Sequence, residues 1–258
     1  ITHADDIGKV FLPGDAVIPE LPGIVSDAGV LSLKGKFTGF FNDFVANATL
    51  QTALGKISTD LALFRQPGDP LLHYKGRLNA KALHLGKISG DESLLGSAFF
   101  SADLNGKGLN AEDADLKINL QIDSLGFNRY NYSGINVSGT LIDKEFTGNL
   151  EIDDPNLNFH FSGNIDLRDS IPDVDFTAEI GHVQLFNLHL LERDSVNILS
   201  TSLNVKMRGT NPDNLDGAVR MKNTIYYEGA KSITLDNLTL QTRQNANMAK
   251  SYHLTSDF

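Results

Sequence analysis

The seven histidines are the residues most able to form a metal site, because imidazole is the commonest metal ligand in proteins. Two ligands share a face when they lie two residues apart on a strand or four apart on a helix. The closest pair, His182 and His189, is seven residues apart. The remaining histidines are scattered, at His3, His73, His84, His160 and His253. We therefore predict no metal site.

Adjacent carboxylates offer acid–base chemistry, as at Asp91-Glu92 and Asp153-Asp154. Neighbours on a strand point to opposite faces, so these pairs are more typical of turns than of a glycosidase site. Asp113 and Asp115 match only two positions of a calcium loop. The chain contains no cysteine, which excludes thiol catalysis and thiolate metal sites.

The run Asn105-Gly106-Lys107-Gly108-Leu109 lacks the third glycine and the following helix of a nucleotide-binding loop. We predict no catalytic residue and no cofactor, and hence that the chain is not an enzyme. The formal net charge of −10 and the pI near 5.1 also argue against a nucleic-acid partner.

The sequence around these candidate residues alternates with a period of two. Polar and apolar residues alternate through four runs, which predicts strands with one apolar face. These runs are Asp115–Asp123, Leu157–Phe161, Val174–Ile180 and Leu203–Met207. Val45–Ile57 and Leu185–Leu191 come nearest to a helical spacing, but competing alternation favours strands in both.

Proline and Asx residues predict turns at 66–70, 153–156 and 210–214. Glycines within strand-like runs predict bulges or bends. These are Gly35, Gly76, Gly139, Gly148, Gly163 and Gly209. Residues 1–30 are interpreted as an irregular connection or the start of a sheet, and 31–258 as one continuous sheet. A sandwich, a closed barrel and an open curved sheet all remain compatible with this pattern.

One stretch has a recognisable motif: Tyr130 and Asn131–Thr140, then Phe146–Leu157 with Asp-Pro-Asn-Leu, then Phe161-Ser162-Gly163. It resembles the TamB/AsmA-like family, specifically the TamB-type proteins of Bacteroidetes. Tyr74–Ile88 and Asn105–Leu109 resemble the same family, and the similarity extends over roughly residues 31–245.

The resemblance implies an all-β fold with essentially no helix, in which an elongated antiparallel sheet curves into an open hydrophobic groove (a β-taco). It implies a periplasmic protein that is anchored in the inner membrane by an N-terminal helix. No segment here reaches the ~20 apolar residues of a membrane span, so we expect this anchor outside the sequence. The implied role is phospholipid transport between the inner and outer membranes and outer-membrane biogenesis. An Omp85-class, TamA-like barrel is the implied partner.

The groove would shelter phospholipid acyl chains, and we expect the apolar residues of one parity to line it. They are Leu116, Ile118, Leu120, Ile122, Ile135, Val137, Phe146, Leu150, Ile152, Leu157, Phe159, Phe161, Val174, Phe176, Ile180, Leu203, Val205 and Met207. Two alternatives remain open. One is a structural or protein-binding scaffold, either adhesin-like or an outer-membrane protein assembly factor, in which these side chains pack a closed core. The other is a carbohydrate-active enzyme with a β-helix or sandwich fold.

Overall fold

The computed structural model describes residues 2–3, 30–40, 43–110, 112–192, 197–209, 214–244 and 250–257. They form fifteen strands and one five-residue helix, α1 (Leu85–Ser89). The strands are β1 (Thr2–His3), β2 (Val30–Phe40), β3 (Asp43–Thr52), β4 (Gly55–Arg65), β5 (Leu72–His84), β6 (Leu95–Lys107), β7 (Asp115–Phe127), β8 (Tyr130–Ile142), β9 (Glu145–Asp154), β10 (Leu157–Asp166), β11 (Asp173–Gln184), β12 (Asn197–Arg208), β13 (Asp216–Glu228), β14 (Lys231–Gln244) and β15 (Lys250–Ser256).

All fifteen strands belong to one antiparallel sheet, in sequence order from β1 to β15. The sheet is not closed. The prediction of an all-β antiparallel sheet with almost no helix is therefore confirmed. The chain divides into two compact units, which we describe separately. Unit 1 comprises residues 1–105 and 122–131, and unit 2 comprises residues 106–121 and 132–258.

Tight hairpins connect many of the strands. Asn128 and Arg129 join β7 to β8 with φ of 48° and 63°, and Asp143 and Lys144 join β8 to β9 with φ of 49° and 62°. Two central residues with positive φ are the signature of a type I′ turn, whose twist matches the flanking strands. This turn type keeps the loops to two residues and fixes the register of each hairpin.

The predicted turns at 66–70 and 153–156 are confirmed, because residues there connect β4 to β5 and β9 to β10. Most of the turn predicted at 210–214, and most of the predicted connection at 1–30, lie outside the described residues. The prediction of a strand at Leu185–Leu191 is wrong. This segment forms hydrogen-bonded turns, with Leu188 N donating to Gln184 O and Leu190 N to Leu185 O. Leu188 is fully buried, which explains its apolar character without a strand.

Bulges or bends are predicted at the strand glycines. Gly139, Gly148 and Gly163 pair in regular register, so they mark no bulge, and the bends stay a prediction. The register shifts of β10 to β13 lie elsewhere, between Asn158 and Phe159, between Ile180 and Val183, and between Ser200 and Ser202. The three glycines instead allow a close approach, as shown below.

Candidate functional site: the apolar face of unit 2

The register of β8 to β14 places apolar residues of one parity on the same face of the sheet. Side chains opposite each other on neighbouring strands lie on one face and contact each other. We call the resulting surface the apolar face. It consists of four rows across the strands: Ile135, Ile152, Phe159 and Ile180; Val137, Leu150, Phe161, Ala178, Leu203, Met221 and Leu238; Gly139, Gly148, Gly163, Phe176, Val205, Val219 and Leu240; and Leu141, Phe146, Ile165, Val174, Met207, Gly217 and Thr242.

Thirteen of the eighteen residues predicted from the sequence lie in these rows. Leu157 extends the face beyond the first row, because it pairs with Val183 of β11. The other four predicted residues belong to β7, where Leu116, Ile118, Leu120 and Ile122 alternate as half-buried positions with exposed polar ones. They share a face of their own strand.

The apolar face is only partly buried. Ile135, Phe161, Val205 and Met207 are buried, and the remaining fourteen predicted residues are half-buried. A side chain between two packed sheets is normally covered on all sides, since interiors are close-packed. The half-buried state therefore leaves apolar surface accessible along the face.

Three paired glycines form a depression in this face. Gly139 lies opposite Gly148, which lies opposite Gly163 on the next strand. The ring of Phe146 occupies the space above the first two, because a Cβ on Gly148 would lie 2.8 Å from Phe146 Cζ. A Cβ on Gly163 would lie 2.4 Å from the Cβ of Phe176. The glycines thus make room for two aromatic side chains.

Aromatic contacts continue beside the glycines. The rings of Phe161 and Phe176 are tilted by 43° with centroids 5.0 Å apart, within the favourable range for aromatic pairs. This pair packs the centre of the apolar face.

Hydroxyl and amide groups interrupt the apolar face at β12 and β13. The buried Thr201 and Thr224 hydroxyls are 2.8 Å apart, and Tyr226 Oη donates to Asn197 Oδ1 at 2.7 Å. Pairing of these groups offsets the cost of burying them. These residues are not among those predicted from the sequence, since isolated threonines in an alternating run resemble polar-face residues.

Some apolar members of the rows are also absent from the residues predicted from the sequence. Val219 and Met221 of β13, and Leu238 and Leu240 of β14, continue the face beyond Leu203 and Val205. Their own alternation with Arg220 and Thr239 is the signal that identifies them.

A buried carboxylate fixes one end of the apolar face. Asp154 is 3% exposed and accepts hydrogen bonds from the backbone N and the Oγ of Ser133, both at 2.9 Å, and from Asn156 N. Burial, and secondarily the charge of Asp154, raises the pKa of the neighbouring Tyr132. The carboxylate links β8 to the β9–β10 turn, which is a structural role.

The opposite face of β9 to β11 is acidic. We call it the acidic face, and its carboxylates are Glu145, Glu151, Asp153, Asp166, Asp173, Asp175 and Glu179. Cations of β12 neutralise part of it, since Lys206 Nζ lies 2.8 Å from Asp175 Oδ2, and this hydrogen bond raises the pKa of Lys206. The hydrogen bonds from Arg168 lower the pKa of Asp166 to about 2.

Within the described part of the chain, no three His, Asp or Glu side chains are grouped so that they could hold a metal ion. Nor does any helix there have the length and apolarity needed to cross a membrane. Comparison with protein-family models, curated proteins and solved structures finds no match to this chain.

Proposed function

We propose that this chain carries lipid: its apolar face shelters the acyl chains of phospholipids. The observation that supports this proposal is the contiguous set of apolar rows, most of whose side chains remain half-buried. Such a surface is unfavourable in water and is normally matched by an apolar partner.

The free energy of removing methylenes from water is consistent with an acyl chain as the apolar partner of this face. Each methylene removed from water contributes ~0.8 kcal/mol, so about ten methylenes contribute on the order of 8 kcal/mol. The face consists largely of Leu, Ile, Val and Phe, which offer dispersion contacts without fixed polar anchors. A lipid could therefore shift from row to row without leaving a deep pocket.

The resemblance to the TamB/AsmA-like family extends the proposal. In this extended proposal, the chain is a periplasmic segment of a longer protein. That protein supports phospholipid transport between the inner and outer membranes and outer-membrane biogenesis. An inner-membrane helix and a contact with an Omp85-class, TamA-like barrel would lie outside this sequence. The absence of catalytic residues stays a prediction.

The test replaces Phe159 and Phe176 by Asp. Charge on the face should displace acyl chains, so we expect loss of lipid that co-purifies with the protein, measured by mass spectrometry. Asn149→Asp with Thr177→Asp is the control, because these exposed residues of the opposite face add the same charge. Circular dichroism checks that the strands persist.

Two outcomes contradict the proposal. Retention of lipid by the folded Phe159→Asp/Phe176→Asp variant would show that the face does not hold it. Global unfolding of that variant, with no lipid in the wild-type protein, would favour the scaffold with a closed core.

A further inference from the structure

One face of β2 to β5 in unit 1 concentrates lysine. We call it the basic face. Its cations are Lys34, Lys36, Lys56, Lys75, Arg77 and Lys81, which the strand register places on one side of the sheet. The four strands contain only two carboxylates, Asp43 and Asp60.

The arginine of this face is already neutralised. Arg77 donates two hydrogen bonds to Asp103, from Nε to Oδ1 at 2.8 Å and from the guanidinium to Oδ2 at 2.9 Å. Asp60 lies directly opposite it on β4. The pairing raises the pKa of Arg77 and lowers that of Asp103. The remaining charge of the face therefore comes from lysines.

The five lysines have no acidic partner among the residues that the structure describes. Four of them are exposed and Lys56 is half-buried. The contrast with unit 2 is large: residues 145–184 contain nine acids and one arginine. Although the chain as a whole is acidic, the concentration of lysines on this face creates a local positive potential.

We infer that the basic face docks on an anionic phospholipid surface. Lysine is a flexible point charge, suited to mobile phosphates, whereas a fixed protein partner is usually contacted through arginine and aromatic residues. Lysine is depleted in protein–protein interfaces. Each lysine near an anionic membrane strengthens binding about fivefold, and the contributions of five lysines multiply.

This inference goes beyond the proposed function, because it concerns lipid headgroups at the basic face of unit 1, whereas the proposed function concerns acyl chains at the apolar face of unit 2. The inference of membrane docking does not require acyl chains to occupy the apolar face.

The test measures co-sedimentation of the full chain with vesicles of phosphatidylcholine alone or mixed with phosphatidylglycerol. We expect binding to the mixed vesicles only. Lys34→Gln, Lys36→Gln and Lys75→Gln together should weaken it on the order of 100-fold. A matched control replaces Lys117, Lys222 and Lys231 by Gln, which are exposed lysines of unit 2 without ion-pair partners among the described residues. This control should bind like the wild type.

Salt gives a second measurement that requires no variant. Raising the ionic strength from about 0.15 M to about 1 M shortens the Debye length from about 8 Å to about 3 Å and should release the wild-type protein from mixed vesicles. The Phe159→Asp/Phe176→Asp variant should still bind them, which separates this inference from the proposed function.

Four results would overturn the inference: equal binding to both vesicle types, binding that survives high salt, equal loss in the two lysine variants, or loss in the Phe159→Asp/Phe176→Asp variant. Salt-sensitive self-association that requires Lys34, Lys36 and Lys75, without vesicle binding, would instead assign the face to the acidic surface of a second copy.

Discussion

The apolar sides of the two units differ although both arise from the same alternating pattern. In unit 2 the central rows contain large side chains, such as Phe161 and Phe176, packed beside glycines. In unit 1 one row of β3 to β5 consists of Ala46, Leu61 and Gly76. Alternation thus specifies which residues share a face, and side-chain size specifies how much apolar surface that face offers.

Their polar sides differ as well. β2 to β5 carry lysines, whereas β9 to β11 carry carboxylates. A hairpin meander tolerates either positive or negative side chains on its polar side, because residues that point into solvent contribute little to folding. The two units therefore offer different surfaces on the same scaffold, and the following predictions test this difference.

The largest effect is expected where aromatic packing is deepest. Phe161→Ala should lower the free energy of unfolding by about 3 kcal/mol, since it removes a buried ring and its contact with Phe176. Leu61→Ala in unit 1 should cost about 1–2 kcal/mol, because Leu61 is half-buried opposite Gly76. Urea titration measures both. Equal losses would remove the distinction between the two apolar sides.

A smaller effect is expected at the glycine row. Gly148→Ala should destabilise unit 2 by about 2 kcal/mol, because the new Cβ would lie 2.2 Å from Ser138 O. Gly181→Ala is the control: the three atoms nearest to its Cβ would all belong to the side chain of Asn158, which can move. We expect a change within about 0.5 kcal/mol there. A neutral Gly148→Ala in thermal unfolding would contradict the close approach.

The smallest effect concerns the exposed ion pairs of both units. The pKa of Asp166 in unit 2 is lowered to about 2, and that of Asp103 in unit 1 is also lowered. A carboxyl with a lowered folded-state pKa stabilises the fold above its unfolded pKa of about 3.9, and this contribution is lost as the pH falls through the folded pKa.

Asp166→Asn should therefore lower the melting temperature slightly at neutral pH, with the difference from wild type vanishing as the pH falls from about 4 to about 2. Asp103→Asn should show the same sign. A difference in melting temperature between variant and wild type that grows toward acid pH would contradict the lowered pKa of the replaced aspartate.

Most strands and their apolar parity follow from the sequence, because a period of two places alternate side chains on one face of a strand. The register does not, since it depends on turns such as Asn128-Arg129 and Asp143-Lys144, in which neither residue is a glycine. Positive φ at such residues is uncommon, and asparagine and aspartate tolerate it best.

The role of the strand glycines could not be predicted either. Gly148 and Gly163 are separated by fifteen positions in the chain, and only the hairpin register places them side by side under aromatic rings. Likewise, the lysines of β2, β4 and β5 form no run in the sequence, and the basic face becomes visible only once their register is known.

The most direct test of acyl binding uses single cysteines, since the chain has none of its own. A bimane fluorophore at Leu150→Cys, on the apolar face, should be quenched by phospholipids brominated in their acyl chains. The same fluorophore at Asn149→Cys, on the opposite face, should not be quenched. Equal quenching at both positions, or none at Leu150→Cys, would contradict the proposal that acyl chains occupy the apolar face.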